Sequence, residues 1–207
     1  MAKANTGDDK DWTLQRVLPW LFLIGGLVVT IASIALANEV YQRLKNPNYV
    51  PACNLNPILS CTNVADSSQA HAFGIPNYFI GIGGYAALAA IGAAILAGAK
   101  FKRWFWQLVE AGLAFAFLFM SWLQYETLYR IGALCLFCMV LWVFTGPLFW
   151  YATLYNLDSG HLPSRLTRKF PRVTSFARRH HAEILTIWFL LIIALILKRF
   201  WYYWSTL

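Results

Sequence analysis

The fold of this chain is decided by residues 17–38, which read VLPWLFLIGGLVVTIASIALAN and contain no charged side chain. A helix needs about 20 predominantly apolar residues to cross a bilayer, so this run is long enough to span one. It is too long for the apolar region of a cleavable signal peptide, and no small-residue cleavage site follows it. We therefore predict that the chain begins with a retained transmembrane helix.

Four further apolar segments follow along the chain, separated by short polar or basic stretches. Pro76 suits the first turn of the second helix, and the aromatic residues near the C-terminus are typical of a membrane interface. No repeat, linker or low-complexity tract divides the sequence. We predict an all-α polytopic membrane protein with a single transmembrane domain over residues 1–207. The predicted spans cover about 17–38, 76–98, 104–125, 131–154 and 183–204.

The composition and charge distribution support this class. The 207 residues are 59% hydrophobic and 13% charged, whereas a soluble domain has about 25% charged residues. The net charge of +8 does not indicate nucleic-acid binding, because the basic residues fall between the apolar runs and read as topology signals. With the N-terminus in the cytoplasm, 12 of the 17 Lys and Arg residues face inward. The positive-inside rule thus predicts an N-in, C-out orientation.

This orientation places the only four cysteines on the extracytoplasmic side, where disulfides persist. Cys53 and Cys61 lie in the long loop 39–75, which its prolines should make irregular, mobile and open to attack. Cys135 and Cys138 form a Cys-x-x-Cys at the start of the fourth span, where the helix dipole can stabilise a thiolate. The arrangement predicts a relay from a water-facing pair to a lipid-facing pair by thiol–disulfide exchange.

Three other interpretations of the cysteines stay open at this point. A cysteine in a transmembrane helix is often a small packing residue. Four thiols could instead bind zinc or copper in a metal-binding membrane protein. The loop pair could also form a structural disulfide in a non-catalytic membrane subunit. The spacing and the shared side of the membrane favour the relay over each of these.

Three stretches of the sequence resemble the vitamin K epoxide reductase family in its bacterial branch. They read ACNLNPILSCT at residues 52–62, FGIPN at 73–77 and CLFC at 135–138. The resemblance covers about residues 18–155, and the loop is most similar to actinobacterial members. The loop pair precedes the Cys-x-x-Cys, an order that separates this family from the functionally analogous DsbB-type quinone reductases.

The resemblance implies a four-helix bundle around a quinone, with a fifth transmembrane helix beside it. Cys53 would exchange with a thioredoxin-like (DsbA-like) partner, Cys61 would pass the electrons to Cys135, and Cys138 would contact the quinone. The product would be disulfide bonds in exported proteins. The quinone would be of the menaquinone or ubiquinone type, with menaquinone favoured. The candidate quinone contacts are Ser67, Asn77, Phe137 and Trp142.

The resemblance also implies a bacterial cell membrane as the location and quinone-dependent thiol oxidoreductase as the activity. Several bacterial relatives carry a thioredoxin-like domain after the fifth span. This chain ends at Leu207, so the partner is expected to be a separate protein. Nothing in the sequence points to an epoxide substrate.

The remaining ionisable residues receive structural predictions. Glu110 lies within the third span, and we expect a structural role in which it reaches the interface or pairs with Lys102 or Arg103. Glu126 and Arg130 are spaced i, i+4, so they are predicted to form an ion pair.

Overall fold

A computed structural model describes residues 8–56, 58–162 and 171–204 of the chain. Four of the basic residues counted as topology signals, Lys3, Arg165, Arg168 and Lys169, lie outside these residues, as does Pro57, one of the prolines expected to make the loop irregular. The helices are α1 (Asp8–Lys45), α2 (Cys61–Ala65), α3 (Asn77–Leu96), α4 (Arg103–Glu126), α5 (Leu136–Asp158), α6 (Pro171–Arg179), α7 (His181–Arg199) and α8 (Trp201–Trp204). A 3₁₀ turn covers Ser68–His71, and a π-helical turn covers Thr127–Ile131.

The predicted fold class is confirmed. The structure is all-α, and five of its helices are long and apolar enough to cross a membrane. They are α1, α3, α4 with its π-turn, α5 and α7. The first four form a bundle in which α1 packs along α3 and α5, and α4 packs on α5. The fifth, α7, lies beside this bundle and has one buried side chain, Ile192.

Small residues let α1 and α3 approach closely. A Cβ atom placed on Gly26 would lie 2.7 Å from the backbone of Ala89, and one on Gly92 would lie 2.5 Å from the backbone nitrogen of Leu23. No L-residue with a side chain fits at such distances. Close contact of this kind is a common way for membrane helices to associate, because lipid gives no hydrophobic drive between them.

Several predicted helix boundaries are wrong by a few residues, each for a physical reason. α1 runs to Lys45 rather than to residue 38, because residues 39–45 are good helix formers and the first breaker is Pro47. The third span continues as a π-turn to Ile131, and the fourth helix begins at Leu136 rather than at residue 131.

The fifth helix also differs from its predicted range of 183–204. It begins at His181 and ends at Arg199, and the separate short helix α8 follows Phe200. The Phe200 side chain is fully buried against the bundle. Because the chain turns to bury this ring, the helix is interrupted there.

Residues 132–135 connect the third span to α5, and we call them the elbow. Gly132 adopts a left-handed conformation with φ of +70°, and its N–H donates to the Thr127 carbonyl at 3.0 Å. This conformation favours glycine because it lacks a Cβ atom. The elbow thus ends the π-turn and redirects the chain into α5.

Candidate redox site

A β-bridge joins the loop after α1 to the elbow. Leu59 and Leu134 pair in parallel. The Leu134 N–H donates to the Ile58 carbonyl at 2.7 Å, and the Ser60 N–H donates to the Leu134 carbonyl at 2.9 Å. These two backbone hydrogen bonds fix the loop on the elbow at one register.

Each of the two hydrogen-bonded segments of this bridge leads into a cysteine. Cys61 follows Ser60 and is the first residue of α2, while Cys135 follows Leu134 and is the residue directly before α5. The two Sγ atoms lie 3.2 Å apart. The bridge therefore sets the distance over which a thiol–disulfide exchange between these residues would occur.

The loop pair is oxidised and the Cys-x-x-Cys pair is reduced in this structure. Cys53 and Cys61 form a disulfide, whereas Cys135 and Cys138 are free thiols. The four residues pack in one cluster with Val64 and Ala133 among its members. The structure thus brings together all four predicted catalytic residues.

The predicted accessibility of the loop pair is wrong for this conformation. Cys53 and Cys61 are each only 2% exposed. The loop is held down by polar contacts that its proline-rich sequence does not reveal. The Glu39 carboxylate accepts hydrogen bonds from the Tyr49 hydroxyl at 2.9 Å and from the Ala52 N–H at 3.2 Å. A thiol partner must therefore displace part of this loop before it reaches Cys53.

Hydrogen bonds around Cys135 favour its thiolate. The Cys138 side chain donates to the Cys135 sulfur, and this hydrogen bond lowers the pKa of the Cys135 thiol below its ordinary value. Burial opposes that effect, while the backbone N–H groups of Cys138 and Phe137 add to it. A thiol of lower pKa is more often ionised and is also the better leaving group in disulfide exchange, so Cys135 suits either role in that reaction.

A cavity of about 600 Å³ adjoins the cysteine cluster within the bundle. Such a volume falls in the range of sites for small molecules and cofactors. Its wall is mainly apolar, as a site for a lipid-soluble ring requires. The wall includes three of the cysteines and all four predicted quinone contacts, namely Cys61, Cys135, Cys138, Ser67, Asn77, Phe137 and Trp142.

Asn77 is a polar group on the cavity wall with hydrogen-bonding capacity to spare. It begins α3, and its Nδ2 donates to the Gln69 carbonyl at 2.7 Å. Its Oδ1 is buried and has no hydrogen-bond partner among the described residues. An amide carries two N–H donors and an acceptor. The second Nδ2–H is therefore available to donate to a quinone carbonyl, whereas the unpartnered Oδ1 can only accept, as it would from the hydroxyl of the reduced quinone.

Two of the other candidate contacts, Ser67 and Trp142, also have capping or packing contacts. Ser67 caps the 3₁₀ turn by accepting from the Ala70 N–H at 3.3 Å, and its hydroxyl donates to the Val64 carbonyl at 2.7 Å. Its structural role is therefore evident. Trp142 is nearly buried one turn below Cys138 and belongs to the same hydrophobic cluster as Leu134.

Sequence reasoning missed an ion pair and a polar contact at the cavity. Arg43, near the end of α1, makes a two-pronged ion pair with Asp66 after α2, and both residues lie on the cavity wall. Gln69 donates from its side chain to the buried Glu126 carboxylate at 2.9 Å. These partners are 23 and 57 residues apart, so no local pattern indicates them.

Of the two predictions for acidic residues, one is confirmed and one is wrong. Glu126 pairs with Arg130 across one helical turn at 3.5 Å, as predicted. Glu110 does not pair with Lys102 or Arg103. Its carboxylate instead accepts hydrogen bonds from two α5 side chains, Thr153 Oγ1 at 2.6 Å and Asn156 Nδ2 at 2.8 Å. The reason is that Glu110 faces α5, so neutral donors satisfy it inside the bundle.

Comparison with known proteins identifies the family. A sequence model of the Vitamin K epoxide reductase family matches residues 20–153, which is more than half of the chain. No curated protein matches the chain. The family implies thiol–disulfide oxidoreductase activity, and its members use quinone-type cofactors and act with thioredoxin-like partners. The chain is thus a multi-pass membrane protein that belongs to the vitamin K epoxide reductase family.

Proposed function

We propose that this protein is a quinone-dependent thiol oxidoreductase that supports disulfide formation in exported proteins. It would act as a single transmembrane domain and take electrons from a separate thioredoxin-like, DsbA-like protein. One observation carries the proposal: the Cys135 sulfur lies 3.2 Å from the disulfide-bonded Cys61, beside a cavity that also adjoins Cys138. The loop disulfide, the Cys-x-x-Cys pair and the cavity are thus adjacent, which is what electron transfer from the first to a ligand in the last requires.

The first step oxidises the partner at the loop disulfide. A partner thiolate attacks Cys53, so a mixed disulfide forms and Cys61 leaves as a thiolate. The partner's second thiolate then attacks its own sulfur in the mixed disulfide, which releases Cys53 as a thiolate. The partner has lost two electrons and the loop pair has gained them.

The second step passes these electrons to the Cys-x-x-Cys pair in its disulfide form. The Cys61 thiolate attacks Cys135, forming a Cys61–Cys135 disulfide and releasing Cys138 as a thiolate. Cys53 then attacks Cys61, which restores the loop disulfide and frees Cys135. The outcome is an oxidised loop pair and a reduced Cys135–Cys138 pair, which is the state found in this structure.

The third step returns Cys135 and Cys138 to a disulfide. A quinone bound in the cavity would supply the acceptor for two electrons and two protons. Asn77 would hold a quinone carbonyl through its amide, in a site from which the apolar wall excludes water. Phe137 and Trp142 would bound the ring, and Ser67 would keep the covering turn in place. Cys138 would be the sulfur that faces the ring.

The location and the acceptor type are part of the proposal. The excess of Lys and Arg on one side supports an N-in, C-out orientation in a bacterial plasma membrane, with the redox site on the extracytoplasmic face. The menaquinone type is favoured over the ubiquinone type by the likeness of the loop to actinobacterial members.

Labelling of Asn48→Cys by a membrane-impermeant reagent in intact cells tests the orientation. Labelling only after the cells are opened would contradict it.

The activity is tested by quinone reduction with purified protein and a reduced thioredoxin-like donor. We expect turnover with the native chain and its loss in Cys135→Ala and Cys138→Ala. In Cys138→Ala, the Cys135 thiolate can attack Cys61 of the loop disulfide and release Cys53, and no Cys138 thiol is present to attack Cys135 in turn. Mass mapping should therefore detect a Cys61–Cys135 disulfide. If that variant holds only Cys53–Cys61, the assigned electron path is wrong.

The same experiments separate the proposal from its rivals. A non-catalytic subunit with a structural disulfide predicts unchanged assays in both cysteine variants. A four-thiol metal site predicts about one zinc or copper per purified chain, with thiols protected by the metal. In the state seen here two of the four sulfurs are bonded to each other, so four thiolate ligands are not simultaneously present.

A further inference from the structure

The end of the fifth transmembrane helix contacts the segment that leads into the Cys-x-x-Cys. The Arg199 Nε atom donates to the Leu128 carbonyl at 2.8 Å. Leu128 belongs to the π-turn directly before the elbow. The Arg199 guanidinium lies near the elbow, since its Nη2 would be 3.9 Å from a Cβ atom added to Gly132.

Phe200 makes the apolar half of the same contact. Its ring is fully buried in a cluster that contains Leu128, Leu134 and Ile58. Leu134 and Ile58 are hydrogen-bonded to each other in the bridge that aligns Cys61 with Cys135. The ring thus shares one hydrophobic cluster with residues from both sides of the bridge, although it follows the fifth transmembrane helix and lies outside the four-helix bundle.

α7 packs on the bundle through Trp188, Ile192, Leu195 and Ile196, which belong to or border the cluster that holds Phe200. In α7 itself only Ile192 is buried, and Ile187, Leu190, Leu191, Ile193 and Leu197 are exposed large apolar side chains. The family match also ends at residue 153, before α7 begins. Arg199 and Phe200 add to this packing a hydrogen bond from a cation and a fully buried ring, both beside the elbow.

We propose that Arg199 and Phe200 are positioning residues that hold the elbow, and with it the Cys135 sulfur, at attack distance from Cys61. This inference rests on the proposed function, in which these two sulfurs form the transient disulfide. Arg199 satisfies the Leu128 carbonyl with a charge-assisted hydrogen bond, which is stronger than a neutral one. Neither residue takes part in the chemical step.

The test measures the ratio of two disulfides in a Cys138→Ala background. The folded, full-length variant is equilibrated in a fixed glutathione buffer and quenched with acid and alkylating agent. Mass mapping then gives the ratio of Cys61–Cys135 to Cys53–Cys61. We expect Arg199→Ala to lower this ratio about tenfold, since a hydrogen bond from a charged group contributes at least that factor. Lys198→Ala, a change at the neighbouring exposed cation, should leave the ratio unchanged.

Arg199→Gln is the second variant, because it keeps an N–H donor but loses the charge and should fold if Arg199→Ala does not. We expect it to lower the ratio by roughly threefold. A merely structural role would lower thermal stability without changing the ratio between the two disulfides. An unchanged ratio in whichever variant folds overturns the inference.

The outcome with native Arg199 tests the proposed function separately. If Cys138→Ala alone forms no Cys61–Cys135 disulfide, the proposed electron path fails. If it forms that disulfide and the Arg199 variants form it equally well, only the positioning role fails.

Discussion

Replacing Asn54 by alanine removes two hydrogen bonds that tie the residue after Cys53 to the residue after Cys61. Asn54 Nδ2 donates to Thr62 Oγ1 at 2.7 Å, and the Thr62 N–H donates to Asn54 Oδ1 at 3.3 Å. Both bonds hold the two chain segments together while the disulfide is closed. Reduction frees the two cysteines to separate, so the bonds stabilise the oxidised form.

The expected size of the effect follows from the number of bonds lost. A net hydrogen bond contributes about 1 kcal/mol, so Asn54→Ala should destabilise the loop disulfide by about 2 kcal/mol. For a two-electron couple about 1.4 kcal/mol corresponds to 30 mV, which predicts a potential higher by about 40 mV. Thr62→Val removes only the side-chain bond and should raise the potential by about 20 mV. The double variant should match Asn54→Ala, since Asn54 takes part in both bonds.

The assay isolates the loop pair in a chain that carries Cys135→Ala and Cys138→Ala. Glutathione buffers of graded potential are followed by alkylation, and the mass shift gives the oxidised fraction. Asn63→Ala, an exposed asparagine next to Thr62, is the matched control and should not move the midpoint. The reasoning is refuted if Asn54→Ala stays within about 10 mV of the parent, or if Asn63→Ala shifts as far.

Three further changes test the helix packing and the site. Gly92→Ala should lower thermal stability in detergent by about 1–3 kcal/mol, because its Cβ would meet α1 backbone, whereas Gly83→Ala meets nothing within 4 Å and should not. Because the pKa of the Cys135 thiol is depressed, its thiolate persists to lower pH. In a chain without the loop thiols, the pH midpoint of Cys135 alkylation should therefore lie below that of an ordinary thiol, and it should rise in Cys138→Ala. A midpoint that Cys138→Ala does not move would contradict the hydrogen-bond assignment. Glu110→Gln should lower the free energy of unfolding by about 1–3 kcal/mol, because Thr153 and Asn156 then share one acceptor oxygen instead of two. Quinone reduction should stay intact, since the site lies away from the cysteines. Unchanged stability would refute this.

Hydropathy predicted the five long helices because the bilayer imposes one length and one composition on every span. It could not predict where α1 ends, since residues 39–45 are polar yet helix-forming, and only the next breaker stops them. The elbow was also missed. A π-turn followed by a left-handed glycine leaves no periodic signal in the sequence, so the fourth helix was predicted to start five residues too early.

The cysteines could be found from the sequence, but their alignment could not. The bridge between Leu59 and Leu134 is isolated, so neither side shows the alternation of a strand. The burial of Cys53 depends on Glu39, which belongs to α1 and not to the loop. Glu110 was assigned to its nearest cations along the chain, whereas its partners lie 43 and 46 residues away on another helix. Each of these features is a tertiary contact between distant segments.

The burial of Cys53 has a kinetic consequence. A partner can attack only the fraction of molecules whose loop has opened, so its apparent affinity is reduced by that fraction. At high partner concentration the rate of partner oxidation then levels off at the rate of loop opening and no longer depends on how much partner is present. In the proposed cycle, the Glu39 carboxylate thereby limits the rate at which electrons enter the protein. For the same reason, small thiols cannot reach the disulfide while the loop is closed.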